Sequence, residues 1–315
     1  MQQPLHIASL HHYPLKSAQG ISLTQAQMNP LGLEQDRRWV LIDEAGNFLS
    51  QRTCPAIGAI YVVANGSELT ISLHGQTFIA QANPNHLISA IVWGDTVAGC
   101  LGVQPEIDRW LSSALGQSVR LVYCPKNALR VVDEHYAGQG HRMAFSDGFP
   151  LLVISQSSLD ELARLWGAPI DFRRFRPNLI VGGACEPFAE DSWRSIRIDN
   201  AVFDLVKLCS RCVIPSLDPD TQLQTNGFLR FLAASRRKGD GKVYLGQNAV
   251  LRHASHSQES EFTDGRLTSD VRSHTQSLAE NLGLLHTKKE DVKNAPDFEQ
   301  FIQPILTVGQ EIWVE

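Results

Sequence analysis

The dipeptide Asn65-Gly66, set between the apolar stretch 59–64 and Leu69-Thr70-Ile71-Ser72-Leu73, is the feature that most limits how this chain folds. Asn-Gly accepts the positive φ values of a tight two-residue turn, so the flanking stretches are predicted to pair as an antiparallel hairpin. Similar signals run through the N-terminal third: strand candidates at 6–12, 38–42 and 77–80, and a turn at Asp43-Glu44-Ala45-Gly46-Asn47 leading into Phe48-Leu49-Ser50. Helical spacing occurs twice. Ile107, Trp110, Leu111, Ala114 and Leu115 end at Gly116; Leu159, Leu162, Ala163 and Trp166 end at Gly167. Ser157 is the expected N-cap of the second helix, with Asp160 at the capping-box position. Strands are expected again at 179–181, 196–198, 201–207, 243–251 and 312–314. Many short strands with few helices predict an α+β, β-rich fold built on a β-barrel-like core with peripheral helices.

At 315 residues the chain can bury a sizeable core, and two subdomains are expected. The net charge of −5 argues against a general nucleic-acid binder, so any basic cluster needs a local explanation. Six cysteines are too sparse for a disulfide scaffold in a chain this long. The start, Met1-Gln2-Gln3-Pro4, is unlike a secretory leader, and apolar runs such as 149–154 fall short of the roughly 20 residues that span a bilayer. A cytoplasmic protein without a membrane partner is the expectation. The polar stretch 253–296 reads as an insertion before the last strand, with one helix candidate at 275–285. Its histidines (His253, His256, His274, His286) are read as solvated polar residues.

Three segments could carry chemistry. Cys209-Ser210-Arg211-Cys212 follows the 201–207 strand, with cations at Lys207 and Arg211 that favour a thiolate. Pro215 and the Asp218-Pro219-Asp220 turn prevent the long helix a thioredoxin-like dithiol needs, and no second cysteine pair completes a zinc or iron–sulfur site. A single thiolate ligand to a metal held by its own cofactor survives, beside a purely structural pair of thiols. Asp218 and Asp220 read as turn-forming acids. Arg173-Arg174-Phe175-Arg176-Pro177-Asn178 offers three guanidinium groups as an anion seat, with Arg176 expected to be extended before Pro177; a solvated basic edge is the alternative. Tyr13-Pro14-Leu15-Lys16-Ser17 and Asp36-Arg37 each place a cation at a strand edge, and alone read as surface strand ends.

Together these segments resemble the MOSC family, and within it the YcbX-type proteins and the mitochondrial amidoxime reducing component. The likeness extends to Phe145-Ser146-Asp147-Gly148-Phe149-Pro150, Glu190-Asp191-Ser192-Trp193, Gly246-Gln247-Asn248 and Thr307-Val308-Gly309-Gln310. It implies an N-terminal β-rich MOSC subdomain (1–120) and a MOSC β-barrel domain (121–315), with a molybdenum cofactor (Mo-molybdopterin) between them. It implies Cys212 as the molybdenum ligand and catalytic centre, and Lys16, Ser17, Arg37, Arg176, Asn178, Ser210 and Arg211 as cofactor contacts. Three departures are read here: Pro215-Ser216 replaces the usual Thr-Thr, a ferredoxin-like segment with its cysteine signature is not expected, and the polar insertion follows Leu251.

The resemblance implies an oxidoreductase that reduces N-hydroxylated small molecules from N–OH to N–H. Its electrons are expected from an external reductase, a flavoprotein or ferredoxin-like protein. The rival is a non-reductive cofactor or sulfur carrier using Cys212; a third reading is an interaction module that has lost its metal.

Overall fold

The structure, a computed structural model, describes residues 3–128, 130–252 and 303–315. It is organised on an eight-stranded sheet in the spatial order Trp313–Val314, Ser195–Ile198, Ala201–Ser210, Tyr244–Leu251, Leu151–Ser155, Leu179–Gly182, His6–His12, Ile21–Leu23. Neighbours are antiparallel except Leu151–Ser155 with Leu179–Gly182, the parallel pair joined through helix Gln156–Trp166. Burial on both faces explains why four of the five residues of Leu151–Ser155 are apolar. Leu151 and Val153 enter a cluster with Ile7, Val181 and Phe203, whereas Leu152 and Ile154 pack with Leu159, Leu162, Phe228 and Leu232 on the other face.

The N-terminal half adds two smaller sheets. One orders Trp39–Ile42, Arg120–Tyr123, Asp95–Gly102 and Leu87–Val92; the other is the meander Tyr61–Asn65, Glu68–Leu73, Gln76–Gln81. The expected hairpin forms, but its two-residue turn is Gly66-Ser67: Asn65 stays in its strand, paired with Glu68, and only Gly66 takes a positive φ, +59. Helix Pro105–Leu115 ends at Gly116 and Gln156–Trp166 at Gly167, both left-handed C-caps. All described residues lie in one compact unit of the chain.

Several expectations are corrected. Ser155, not Ser157, caps the second helix by accepting from the Ser158 N–H, because the strand runs directly into the helix. Ser157 instead donates to the Glu186 carbonyl at 3.3 Å. The strand expected at 201–207 continues to Ser210, following two register shifts against Tyr244–Leu251. Helix Phe228–Arg236 and the strands Leu87–Val92, Asp95–Gly102 and Arg120–Tyr123 were not anticipated. The α+β, β-rich class with few peripheral helices is found, but no pairing among the described residues joins the ends of the eight-stranded ladder into a closed barrel. No described helix is long and apolar enough to cross a membrane. The expected insertion at 253–296, with its helix candidate and histidines, lies outside the described residues.

Candidate functional site

Residues 13–17 zip against 36–39: the Lys16 N–H donates to the Trp39 carbonyl, the Arg37 N–H to that of Tyr13, and the Trp39 N–H to that of Pro14. Asn178 then enters a strand paired with His6–His12, and the Ala201–Ser210 strand delivers Cys209 to Cys212 at its end. The result is a cleft of about 440 Å³ lined by Lys16, Ser17, Arg37, Arg176, Asn178, Ser210, Arg211 and Cys212. These are all eight residues that the family resemblance singled out, drawn from four stretches of the chain.

The deep wall is tightly bonded. Arg37 Nη1 donates to Asp36 Oδ2 at 2.5 Å and to Asn178 Oδ1 at 3.0 Å, and Nη2 donates to the Arg176 carbonyl at 3.2 Å. Burial opposes the Arg37 charge, but Asp36, helped by Tyr13 and Asp147, outweighs it and holds the pKa above the ordinary arginine value. Asn178 uses its amide on the Arg37 guanidinium, the Leu152 N–H and the His11 carbonyl. Arg37 and Asn178 therefore brace the wall. Lys16 is buried, with Nζ 2.6 Å from Asp147 Oδ1 and 2.8 Å from the Phe145 carbonyl. Burial pushes its pKa down to about 8 against the pull of Asp147. Ser17, Arg37 and Arg176 all have positive φ (70°, 46° and 57°), backbone strain gathered at one cleft.

Arg176 corrects the expectation of an extended residue. Its φ of +57° is imposed by tertiary contacts: Nη1 donates to the Ala18 carbonyl at 2.6 Å, and the guanidinium lies 4.2 Å from the Tyr13 ring centroid. The Tyr13 hydroxyl in turn donates to the Pro177 carbonyl at 2.9 Å. The three-arginine anion seat is also corrected. Arg173 pairs with Asp171 and Asp220, and Arg174 with Asp218 and the Pro215 and Leu217 carbonyls. Both arginines pin the 215–220 segment, where Asp218 Oδ1 accepts from the Asp220 and Thr221 N–H groups as a turn former. Of these three arginines, Arg176 alone has a buried donor without a partner among the described residues, Nη2; Arg211 Nε is a second such donor among the cleft-lining residues.

The thiol rim is looser. Cys212 is exposed and free, and half-buried Cys209 is free beside it. The sequence placed Arg211 beside the reactive thiol, yet Arg211 Nη1 lies 3.1 Å from Cys209 Sγ. The cation at Cys212 is Arg52, whose Nη2 donates to Sγ at 3.2 Å. Arg52, Trp93 and Asp147 line the cleft and were not singled out as site residues. Pro215-Ser216 closes a short 3-10 turn over Ile214–Ser216, with the Ser216 hydroxyl donating to the Val213 carbonyl at 2.7 Å. The lining holds seven cations (Lys16, Arg37, Arg52, Arg174, Arg176, Lys207, Arg211) against one acid, Asp147, on a chain of net charge −5. Such a concentration suits an anionic ligand.

Residues 5–118 match the MOSC N-terminal beta barrel domain, and residues 140–261 the MOSC domain. Mitochondrial amidoxime-reducing component 1 of Mus musculus is 31% identical over 235 residues, covering 70% of this chain and 68% of that protein. Its Homo sapiens counterpart is 30% identical over 273 residues, covering 80% of each. A molybdenum cofactor sulfurase of Oryza sativa subsp. japonica is 30% identical over 266 residues, covering 77% of this chain but only 32% of that protein. The cytoplasmic expectation is overturned here, because the amidoxime-reducing relatives are named as mitochondrial. Sparse cysteines and an unremarkable start do not distinguish one reducing compartment from another. On these matches the chain belongs to the MOSC-domain family, related to the amidoxime-reducing components and to molybdenum cofactor sulfurase.

Proposed function

We propose that this protein binds the molybdenum cofactor in the cleft and reduces N-hydroxylated compounds, with electrons supplied by a separate protein donor. One observation carries the reading: the exposed Cys212 sulfur shares a cleft with the unpartnered, buried Arg176 Nη2 and Arg211 Nε. Buried donors without acceptors are costly, and an anionic group seated there would satisfy them. Among the described residues no three His, Cys, Asp or Glu side chains converge as a metal shell. The donor set thus fits a metal that arrives with ligands of its own and takes one thiolate from the chain. Bound there, the cofactor would supply a two-electron redox centre.

The chain's own residues do the holding. Cys212 would ligate the metal, Arg176 and Arg211 would bind the cofactor's phosphate, and Lys16 would add positive charge to the wall. Ser17 and Ser210 line the same cleft and would offer hydroxyl groups to the pterin. Arg37 and Asn178 keep Arg176 and the strand entering Leu179–Gly182 in place. The substrate class follows from the relatives' names as amidoxime-reducing components. The test is molybdenum and pterin analysis of protein from a cofactor-competent host, paired with a reductase-coupled assay on an N-hydroxylated purine. Stoichiometric metal with turnover supports the proposal; a metal-free protein that reduces nothing contradicts it. The match to molybdenum cofactor sulfurase supports a second reading, sulfur handling on Cys212. That reading predicts a persulfide on Cys212 by mass spectrometry and no turnover.

A further inference from the structure

Arg52 occupies an unusual position. Its Nη2 donates to Cys212 Sγ at 3.2 Å, and its guanidinium lies 4.7 Å from the Trp93 ring centroid. Among the described residues no carboxylate lies within ion-pair distance of it. A planar guanidinium can stack on an aromatic face while donating from its edge, which an ammonium cannot do.

Trp93 is held in place by its turn and by two side-chain contacts, to Asp147 and Phe48. It stands in a two-residue turn between the paired Val92 and Asp95, with φ +57° beside Gly94 at +93°. A bulky residue is rare at positive φ, and strain of this kind persists only where the surroundings over-determine it. Here Trp93 Nε1 donates to Asp147 Oδ1 at 3.1 Å, Asp147 is held by Lys16 at 2.6 Å, and Phe48 packs at 5.0 Å between ring centroids. A continuous path of contacts therefore runs from the deep wall to the sulfur: Lys16, Asp147, Trp93, Arg52, Cys212.

We propose that Arg52 is a positioning residue, steadied by Trp93, that aims the Cys212 sulfur into the cleft and raises the reduction potential of the metal this sulfur ligates. The inference rests on the cofactor reading above. Its physical basis is that a hydrogen bond and a positive charge at a ligating thiolate stabilise the more electron-rich, reduced state of the metal. Removing them lowers the potential.

The experiment compares wild type, Arg52→Gln, Arg52→Lys and Trp93→Leu from a cofactor-competent host, reading molybdenum per chain and the metal's midpoint potential by spectroelectrochemical titration. Arg52→Gln is expected to shift the redox equilibrium about tenfold towards the oxidised metal, about 59 mV for one electron. Trp93→Leu should move it less, in the same direction, and Arg52→Lys, which keeps the charge but loses the stacked fork, should fall between wild type and Arg52→Gln. Loss of metal from Arg52→Gln with retention in Arg52→Lys also supports the inference. Arg52→Gln and Trp93→Leu proteins, both loaded and both at the wild-type potential, would overturn it while leaving the cofactor reading intact. A wild type without molybdenum would remove both.

Discussion

The deep wall and the thiol rim of the cleft are built on opposite principles. In the wall, Tyr13, Asp36 and Asn178 are buried, Arg37 is half-buried, and the four are linked to one another by hydrogen bonds. At the rim, Cys212 is exposed, Arg52 has no carboxylate partner among the described residues, and Trp93 is 52% exposed. A saturated network fixes a shape, whereas unsaturated groups remain available to a ligand. Mutations in the bonded network are therefore expected to cost stability, and mutations of unsaturated groups, at the rim and at Arg176, to cost binding.

The largest effect should come from cutting the wall's anion. Asp36→Ala leaves the half-buried Arg37 cation without its carboxylate and removes the acceptor of the Tyr13 N–H, at 2.7 Å. Losing one partner of a buried pair costs about 3–5 kcal/mol. Chemical denaturation should show that loss, and a change below 1 kcal/mol would mean the wall is not a network.

Arg176 and Arg173 sharpen the contrast between two neighbouring arginines. Arg176→Ala removes the unpartnered donor, and anion affinity should fall by about 1.5–3 kcal/mol, the range for hydrogen bonds to charged groups. Arg173→Ala removes an exposed pair with Asp220, so stability should change by less than about 1 kcal/mol, with affinity unaltered. Calorimetric titration with a pterin phosphate distinguishes them; equal losses would restore the three-arginine seat.

A subtler effect concerns pH. Lys16 is buried with its pKa lowered to about 8, below the ordinary lysine value. Between about 8 and that ordinary value the unfolded chain binds more protons at this site than the folded one, so this group makes the ligand-free protein more stable as pH rises. The same deprotonation removes a cation from the cleft, so anion binding should weaken as pH passes upward through about 8. Lys16→Gln should flatten both trends, measured by denaturation and by binding between pH 7 and 10. Unchanged profiles would mean that Lys16 is not the group responsible.

The sequence revealed the wall more readily than the rim. Lys16-Ser17, Arg37 and Arg176-Pro177-Asn178 carry recognisable local patterns, and their meeting could be expected from the family resemblance. Arg52 sits in Gln51-Arg52-Thr53-Cys54, which has no periodicity, and its contact with Cys212 spans 160 positions. Trp93 was hidden because local rules place Gly, Asn or Asp, not Trp, at such a turn; the Gly94 that follows it was the available signal. Helix Phe228–Arg236 starts at Gly227 without a side-chain cap, and only the spacing of Phe228, Phe231 and Leu232 could have betrayed it. The arginine cluster misled for a different reason: composition shows the number of cations but not which acids they meet.

The account stands or falls on whether the metal is held through a single rim sulfur. Cys212→Ser, purified from a cofactor-competent host, should fold with wild-type stability, since the residue is exposed, yet carry little molybdenum and reduce no N-hydroxylated purine. A Cys212→Ser protein with full molybdenum content and undiminished turnover would contradict it.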